Sequence, residues 1–433
     1  MYEKLPELIL KSETVDRIGK IENVVGMSME ASGGRSGVGD IVMIYDEGRN
    51  RQVLAEVGGF KEGRLQLMTY EDAGGITSGS FVRSTGHRLR VPVGDFLVGR
   101  IVNAMGQPID GKEPFMERAR YTVDSAYTNP LTRPPIRQRL EFGVKAIDGL
   151  NTIGKGQRIG IFAGSGVGKS TLMGMIAKNV KTDINVIALV GERGREVLEF
   201  VEKDLGPEGM RRSVLVVATS DQPAMLRMKC PLVATTIAEY FRDQGLDVLL
   251  MMDSLTRYAM AQREVGLAIG EPPISRGYTP SIYAEFPKLL ERSGNFDRGS
   301  ITGVYTVLVE GDDTNEPISD TVRGILDGHI VLSRQLAGEN HFPAIDIGAS
   351  ISRLMTEVVD EEHRRLASRF RNLLSTYQKN ADLISIGAYK KGVNHFLDEA
   401  VEKIGPINEF LMQGTSEHFS YEETLQRMKA IVD

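Results

Sequence analysis

Short apolar segments separated by glycine-containing turns run through the first part of the chain. The segments occupy residues 38–45, 52–57, 65–70 and 81–83. Runs of this length, bounded by turn residues, are typical of strands in a small all-β domain. The pattern therefore predicts a β-barrel domain over residues 1–95.

The pattern changes near residue 143, where continuous apolar segments begin to alternate with longer amphipathic ones. Residues 127–135, whose prolines favour an extended connection, precede this change. The apolar segments are residues 159–162, 186–190, 214–218, 248–252, 301–309 and 330–332. Such strands are typical of a parallel sheet covered by helices on both faces. We therefore predict an α/β domain with a mostly parallel sheet over residues 96–357.

The last part of the chain has a helical pattern. Spacings of three and four residues place a set of apolar side chains on one face: Leu366, Phe370, Leu373, Leu374 and Tyr377. A final helix is predicted to begin at Ser420, where Glu423 completes a capping box. Residues 358–433 are therefore predicted to form a helical domain.

The composition is that of a multidomain protein without a membrane span. At 433 residues the chain exceeds what one hydrophobic core usually holds, and no apolar run approaches the length that crosses a bilayer. The N-terminus lacks the features of a signal peptide, and Cys230 is the only cysteine. The net charge of −6 argues against a surface built mainly for nucleic acid. We expect a cytoplasmic protein.

A glycine-rich loop between a predicted strand and a predicted helix carries the strongest chemical signal. Its glycines let backbone N–H groups surround phosphates, Lys169 neutralises the β and γ oxygens, and Ser170 can ligate magnesium. Ala163 stands where the strict motif has glycine, and a dinucleotide-binding loop would need glycine in place of Lys169. We predict that a nucleoside triphosphate binds to Gly164, Ser165, Gly166, Val167, Gly168, Lys169, Ser170 and Thr171.

Two acidic residues follow apolar strands of the predicted sheet. Asp253 ends residues 248–252, where a carboxylate can hold the hydration shell of magnesium, although many buried strands end in aspartate. Glu192 follows residues 186–190 and is our candidate for orienting the attacking water. The alternative for Glu192 and Arg193 is a solvated charge cluster in a loop. A guanidinium is also needed on the γ-phosphoryl group, but the residues alone do not assign Arg353 to this task.

Several segments resemble the α/β subunit family of rotary ATPases, and within it the type III protein export ATPases. They include residues 343–353 (PAIDIGASISR), 271–273 (EPP), 276–281 (RGYTPS), 287–292 (PKLLER) and 305–313 (YTVLVEGDD). Residues 238–245 are similar to both the flagellar and virulence branches, whereas residues 309–313 are similar to the flagellar one. The resemblance covers nearly the whole chain.

The resemblance implies a β-barrel, a RecA-like ATPase core and a helical C-terminal domain in a homohexameric ring that hydrolyses ATP with Mg²⁺. It gives Lys169 and Ser170 the phosphate and magnesium roles, and Asp253 a water-mediated magnesium contact. It gives Glu192 the activation of water and Arg193 a γ-phosphate contact. It identifies Arg353 as an arginine finger acting across the subunit interface. It makes Phe342 the aromatic residue that packs on adenine, for which an ordinary core phenylalanine is the alternative.

The resemblance also implies the partners and the location. Expected partners are a flagellar export regulator or stator protein, a central stalk protein, membrane proteins of the export gate, and export chaperone–substrate complexes, but no nucleic acid. The ring is expected at the cytoplasmic face of the inner membrane, at the flagellar base. An N-terminal apolar face of Leu5, Leu8 and Ile9 could bind the regulator, but Pro6 interrupts it.

Three other functions remain alternatives. A virulence type III secretion ATPase shares most of the motifs. A non-catalytic nucleotide-binding subunit of a rotary ATP synthase would lack the carboxylate that Glu192 supplies. A ring-shaped RNA translocase would carry aromatic-rich, basic strands in its first domain, whereas Tyr70 and Phe81 are not clustered with basic residues here.

Overall fold

The computed structural model describes residues 17–46, 48, 50–117, 119–124, 129–309 and 316–433. The N-terminal apolar residues Leu5, Leu8 and Ile9 lie outside the described residues. So do residues 127 and 128 of the proline-containing connection and residues 310–313 of the segment that is similar to the flagellar branch.

Antiparallel strands close into a barrel in the first part of the chain, as predicted. They are β1 (Ile18–Val25), β2 (Ser28–Ser32), β3 (Asp40–Asp46), β4 (Arg51–Lys61), β5 (Arg64–Thr69) and β6 (Phe81–Arg88), in the order β1-β2-β5-β4-β3-β6. Val42, Ile44 and Val53 are fully buried inside the barrel. The sequence did not predict β1 and β2, because Lys20, Glu22 and Asn23 interrupt the apolar pattern of β1.

A connecting region leads from the barrel to the core. Strand β7 (Arg90–Val93) pairs with β9 (Ala119–Thr122), and β8 (Ile101–Asn103) joins the edge of the central sheet beside residues 215–217. The barrel and the core are also joined by a buried ion pair, in which Lys229 Nζ lies 2.8 Å from a Glu56 carboxylate oxygen. Tyr70 donates a hydrogen bond to the same carboxylate. This pair fixes the barrel against a core helix.

The core contains the predicted mostly parallel sheet. Its parallel strands include β12 (Arg158–Ala163), β13 (Ile184–Val190), β14 (Ser213–Ala218), β15 (Asp247–Asp253), β17 (Ser300–Leu308) and β18 (Gly328–Leu332). Strand β19 (Ile345–Ser352) runs antiparallel to β18 at one edge, and the order is β19-β18-β12-β17-β15-β13-β14-β8. Short strands β10 (Arg139–Leu140) and β11 (Ile153–Gly154) pair with each other, and β16 (Gly294–Asn295) pairs with β17.

Helices cover both faces of this sheet. They are α1 (Lys145–Leu150), α2 (Lys169–Asn179), α3 (Gly194–Glu199), α4 (Gly206–Met210), α5 (Ala224–Asp243), α6 (Leu255–Ala268), α7 (Pro280–Leu290), α8 (Pro317–Ile325) and α9 (Arg334–Gly338). A π-helical turn, Phe200–Leu205, links α3 to α4. Alternate β13 residues belong to two separate cores, with Val186 in one and Ile187 in the other. Burial on both faces explains the continuous apolar pattern of these strands.

The C-terminal part is helical, as predicted. It comprises α10 (Met355–Val358), α11 (Glu361–Lys379), α12 (Ala381–Ser385), α13 (His395–Leu411) and α14 (Tyr421–Val432). Leu366 and Phe370 of α11 are buried in the core that also contains one face of β13. The predicted capping box of Ser420 and Glu423 begins α14. None of the described helices has the length and apolar character needed to cross a membrane.

Candidate active site

The glycine-rich loop lies between the end of β12 at Ala163 and the start of α2 at Lys169. Gly166 and Gly168 have φ values of 76° and 87°, which favour glycine. Val167 anchors the loop in the core, whereas Ser165 and Gly166 are exposed. Loops of this kind present successive backbone N–H groups beside a helix N-terminus and form an anion-binding concavity.

Lys169 meets the two predicted acidic residues. Its Nζ contacts Asp253 Oδ1 and lies 3.6 Å from Glu192 Oε1. Lys169 follows β12, Asp253 ends β15 and Glu192 follows β13. The carboxyl ends of these three parallel strands lie on the same side of the sheet. Thr306 donates a 2.6 Å hydrogen bond to Asp253 Oδ1, which holds this buried carboxylate in place. The structure therefore brings Lys169, Glu192 and Asp253 together.

Glu192 has the properties of a proton acceptor that works near neutral pH. Its residue is 8% exposed. Burial, followed by the nearby Asp253 carboxylate, raises its pKa to about 7, although Lys169 and Arg257 act in the opposite direction. Contact with Glu196 also favours the protonated form, and the same contact lowers the pKa of Glu196. A carboxylate in this range can both accept and release a proton at physiological pH.

Arg257 belongs to this group of residues, and the sequence reasoning missed it. It lies in the first turn of α6, directly after Asp253 and the helix-capping Ser254. Its Nη1 donates a 2.8 Å hydrogen bond to the Gly191 carbonyl, and its Nε lies 3.3 Å from Glu192 Oε1. The sequence feature that could have identified Arg257 is its position one helical turn after Asp253. A helix that follows a parallel strand begins at the end of the sheet where the glycine-rich loop lies.

The remaining loop residues and Arg193 differ in where their side chains lie. Ser170 is exposed in the first turn of α2. The Thr171 side chain is hydrogen-bonded to Asp204 in the π-helical turn. The Arg193 side chain is 71% exposed and lies 3.5 Å from Glu196. The structure does not bring Arg193 to Lys169.

Phe342 lies beside the glycine-rich loop. Its ring is positioned so that a Cβ atom on Gly168 would lie 3.4 Å from it, and the residue is 40% exposed. It lines a cavity of about 620 Å³ between the core and the C-terminal helices, together with Lys145, Phe410 and Gln413. This exposure does not fit the alternative of an ordinary core phenylalanine.

Arg353 lies at the opposite end of the parallel strands from the glycine-rich loop. Its backbone N–H donates a 3.0 Å hydrogen bond to the Asp327 carbonyl. The backbone N–H of Asp327 in turn donates to the Arg158 carbonyl at the start of β12. About 17 Å of strand, at about 3.3 Å per residue, separates that level from Ala163. The exposed guanidinium of Arg353 therefore cannot reach the loop of its own chain.

The residues at the loop fit a magnesium–nucleotide complex. Glu192 Oε1 and Arg257 Nε are buried and lie 3.3 Å apart as an ion pair, but neither makes a hydrogen bond within the described residues. A Cβ on Gly166 would meet nothing within 4 Å. An ammonium group, an exposed hydroxyl on Ser170 and the Asp253 carboxylate offer the donor set that Mg²⁺ and phosphates require.

Comparisons with known proteins agree with this geometry. The sequence model described as ATP synthase alpha/beta family, nucleotide-binding domain, matches residues 143–352. The model described as T3SS EscN ATPase C-terminal domain matches residues 359–430. These matches cover the sheet from β12 to β19 with its glycine-rich loop, and the C-terminal helices.

Relatives match along almost the whole chain. A flagellum-specific ATP synthase of Bacillus subtilis (strain 168) is 54% identical over 99% of this chain and 98% of its own. A type 3 secretion system ATPase of Xanthomonas euvesicatoria is 46% identical over 96% of this chain and 94% of its own. The structure of the assembled ATPase EscN from the enteropathogenic E. coli type III secretion system has a TM-score of 0.91 and 47% identity, covering 96% of this chain and 100% of that chain. The chain therefore belongs to the family of flagellum-specific and type III secretion ATPases, which carries the ATP synthase alpha/beta nucleotide-binding domain.

Proposed function

We propose that this chain powers the export of flagellar proteins by Mg²⁺-dependent ATP hydrolysis at the subunit interfaces of a homohexameric ring. One observation carries the proposal. Glu192, with its pKa raised to about 7 by burial, lies with Lys169 and Asp253 at the carboxyl ends of the parallel strands. Arg353 lies at the amino ends. Each chain would thus supply the phosphate-binding half of an active site at one subunit interface and the Arg353 half at another.

The chemistry follows from the placement of these groups. Lys169 would release its two carboxylates and bind the β- and γ-phosphate oxygens, and Glu192 would accept a proton from the attacking water. Magnesium, held by Ser170 and through water by Asp253, supplies charge neutralisation on the phosphates when it is bound. The exposed Arg193 side chain would turn to contact the γ-phosphate. Phe342 would pack on adenine.

Arg353 would act on a neighbouring chain. Its distance from its own loop supports a contribution in trans, and a head-to-tail interface whose rotation closes produces a ring. A guanidinium supplied in this way stabilises the charge of the transferring phosphoryl group. EscN, the structural relative, is known in an assembled form.

The partners proposed from the resemblance are the export regulator or stator protein, a central stalk, the export gate and chaperone–substrate complexes. The location proposed is the cytoplasmic face of the inner membrane at the flagellar base. A surface on the C-terminal helices supports the stalk contact, since it exposes Leu383, Ile386, Val393 and Phe396 beside Lys390 and Lys391. The assembled EscN has also been solved with its central stalk EscO.

The proposed domain limits remain 1–95, 96–357 and 358–433. Limited proteolysis would test them, because cleavage concentrates in exposed connections between domains. Fragments that end well inside the barrel or the helical region would contradict these limits.

Genetic replacement tests the function directly. The chain would be expressed in a Bacillus subtilis strain that lacks its own flagellum-specific ATP synthase, and exported flagellin would be measured. We expect export with the wild-type chain and none with a Glu192→Gln variant of equal abundance. An active ATPase that restores no flagellin export, but supports secretion in a strain lacking a virulence type III ATPase, would favour the virulence alternative. A chain that binds ATP and never hydrolyses it would favour the synthase-subunit alternative.

A further inference from the structure

The Gln413 side chain is buried between the core and the C-terminal helices and uses its whole amide group. Its Nε2 donates to the carbonyls of Gly143, at 2.8 Å, and Glu417, at 3.1 Å. Its Oε1 accepts a 2.9 Å hydrogen bond from the Lys145 backbone N–H. Both donors and one acceptor are therefore satisfied in a residue that is 5% exposed.

The backbone of Gln413 is tied to the residue beside the glycine-rich loop. Its N–H donates a 2.9 Å hydrogen bond to the Phe342 carbonyl. The Phe342 ring in turn lies against Gly168. One residue of the C-terminal region thus connects the start of α1 to the aromatic residue at the phosphate-binding loop.

We infer that Gln413 is a positioning residue that holds Phe342 in place for the nucleotide base and couples base binding to residues 412–417 between α13 and α14. Gln413 links Gly143 and Lys145 to Phe342 through its hydrogen bonds. The amide anchors this segment to Gly143 and Lys145, and the anchored segment holds the Phe342 carbonyl. Without the amide the segment loses three bonds, and the ring loses its fixed support. The inference deepens the proposed function and rests on the Phe342 role given there.

A Gln413→Met substitution tests this inference, because it keeps the side-chain length and removes the amide. The readouts are the KM for ATP, kcat, and competitive inhibition by inorganic tripolyphosphate, which has no base. We expect KM to rise about tenfold, equivalent to about one net hydrogen bond, with kcat and inhibition by tripolyphosphate unchanged. Equal loss of affinity for ATP and tripolyphosphate would overturn the inference in favour of a general structural role. An unchanged KM would overturn it as well.

A matched control and a double variant sharpen the test. Gln157 is also a fully buried amide with three hydrogen bonds, to Gly154, Asp327 and Ser352, but it lies at the sheet edge opposite the loop. Gln157→Met should leave the affinity for ATP unchanged. In a Phe342→Ala background, Gln413→Met should add no further loss of ATP affinity, because no ring remains to be held. Additive losses would contradict the coupling.

A Gln413→Glu variant adds a pH readout. Its carboxylate would face the Gly143 and Glu417 carbonyls, whereas its protonated form can still donate to one of them. The ratio of variant to wild-type KM should therefore fall as the pH is lowered, and a ratio independent of pH would count against the inference. Wild-type turnover decides the proposed function separately. If the wild type does not hydrolyse ATP, calorimetric binding of ATP and tripolyphosphate still decides the role of Gln413.

Discussion

Arg257 contacts the loop that carries Glu192 at two points: Nη1 donates to the preceding Gly191 carbonyl at 2.8 Å, and Nε lies 3.3 Å from Glu192 Oε1. Arg257 lies in the first turn of the helix that follows Asp253, whereas Glu192 follows a neighbouring strand. The guanidinium thus fixes the position of the carboxylate and, being positive, favours its ionised form.

An Arg257→Gln variant should lose activity at neutral pH. Removing the positive charge raises the pKa of Glu192 further, so more of the carboxyl is protonated at pH 7. We expect kcat to fall by up to about 100-fold and the low-pH limb of the kcat/KM profile to move to higher pH. Arg263→Gln in the same helix, whose guanidinium lies over the Tyr278 ring, is the control. A pH profile that does not move would contradict the role of Arg257.

A Glu192→Gln variant should separate binding from turnover. The amide keeps the size of the side chain but cannot accept a proton, so we expect ATP binding to persist while kcat falls by about 10²- to 10⁴-fold. Single-turnover hydrolysis and nucleotide binding would be measured on the same preparation. Parallel losses in binding and turnover would indicate that Glu192 supports the loop rather than the reaction.

The stability of the wild type should depend on the same group. Burial raises the pKa of Glu192 from 4.5 to about 7, so between these values the folded chain retains a proton that the unfolded chain releases. The contribution of Glu192 to the free energy of unfolding should therefore decrease as the pH rises from about 4.5 to about 7. Denaturant titrations of the wild type and of Glu192→Gln measure this, and the difference between the two proteins should vary with pH in that window. A constant difference would contradict the shifted pKa.

Arg353→Ala and Glu192→Gln should restore each other when mixed. Each variant alone lacks one half of every interface, but in mixed rings about a quarter of the interfaces pair an intact Glu192 with an intact Arg353. We expect partial ATPase activity from the mixture, and wild-type specific activity that rises with protein concentration. Arg353→Ala mixed with the double variant is the control and should stay inactive. No recovery in the first mixture would argue against a contribution in trans.

The buried pair between Glu56 and Lys229 should stabilise the contact of the barrel with the core. Lys229→Met leaves the Glu56 carboxylate buried without its cation, so we expect a loss of about 3–5 kcal/mol in the free energy of unfolding. Replacing both residues, as Glu56→Gln with Lys229→Met, should cost less than the two single losses added together. Thermal and denaturant unfolding of the four proteins measure the coupling, and strict additivity would rule it out.

The sequence predicted what depends on local pattern. Residues 159–162 before the glycine-rich loop and residues 248–252 before Asp253 are continuously apolar because both faces of these strands are covered, so both strands were identifiable without the fold. Arg257 and Gln413 were not, because their importance arises where separate elements meet. The Gln413 partners, Gly143 and Phe342, lie far from it in the sequence. Likewise, the level of Arg353 depends on the pairing of β18 with β12 and β19, which no local pattern encodes.

The separation along the strands between Arg353 and the loop of its own chain has a consequence for the cell. If Arg353 acts on a neighbouring chain, a newly made chain can bind ATP but is a poor catalyst. Dispersed copies would therefore hydrolyse little ATP. Gathering the chains at one place would itself start the reaction, and scattering them would stop it. The spatial organisation of the cell would then control the energy supply, without an inhibitor bound to every idle copy.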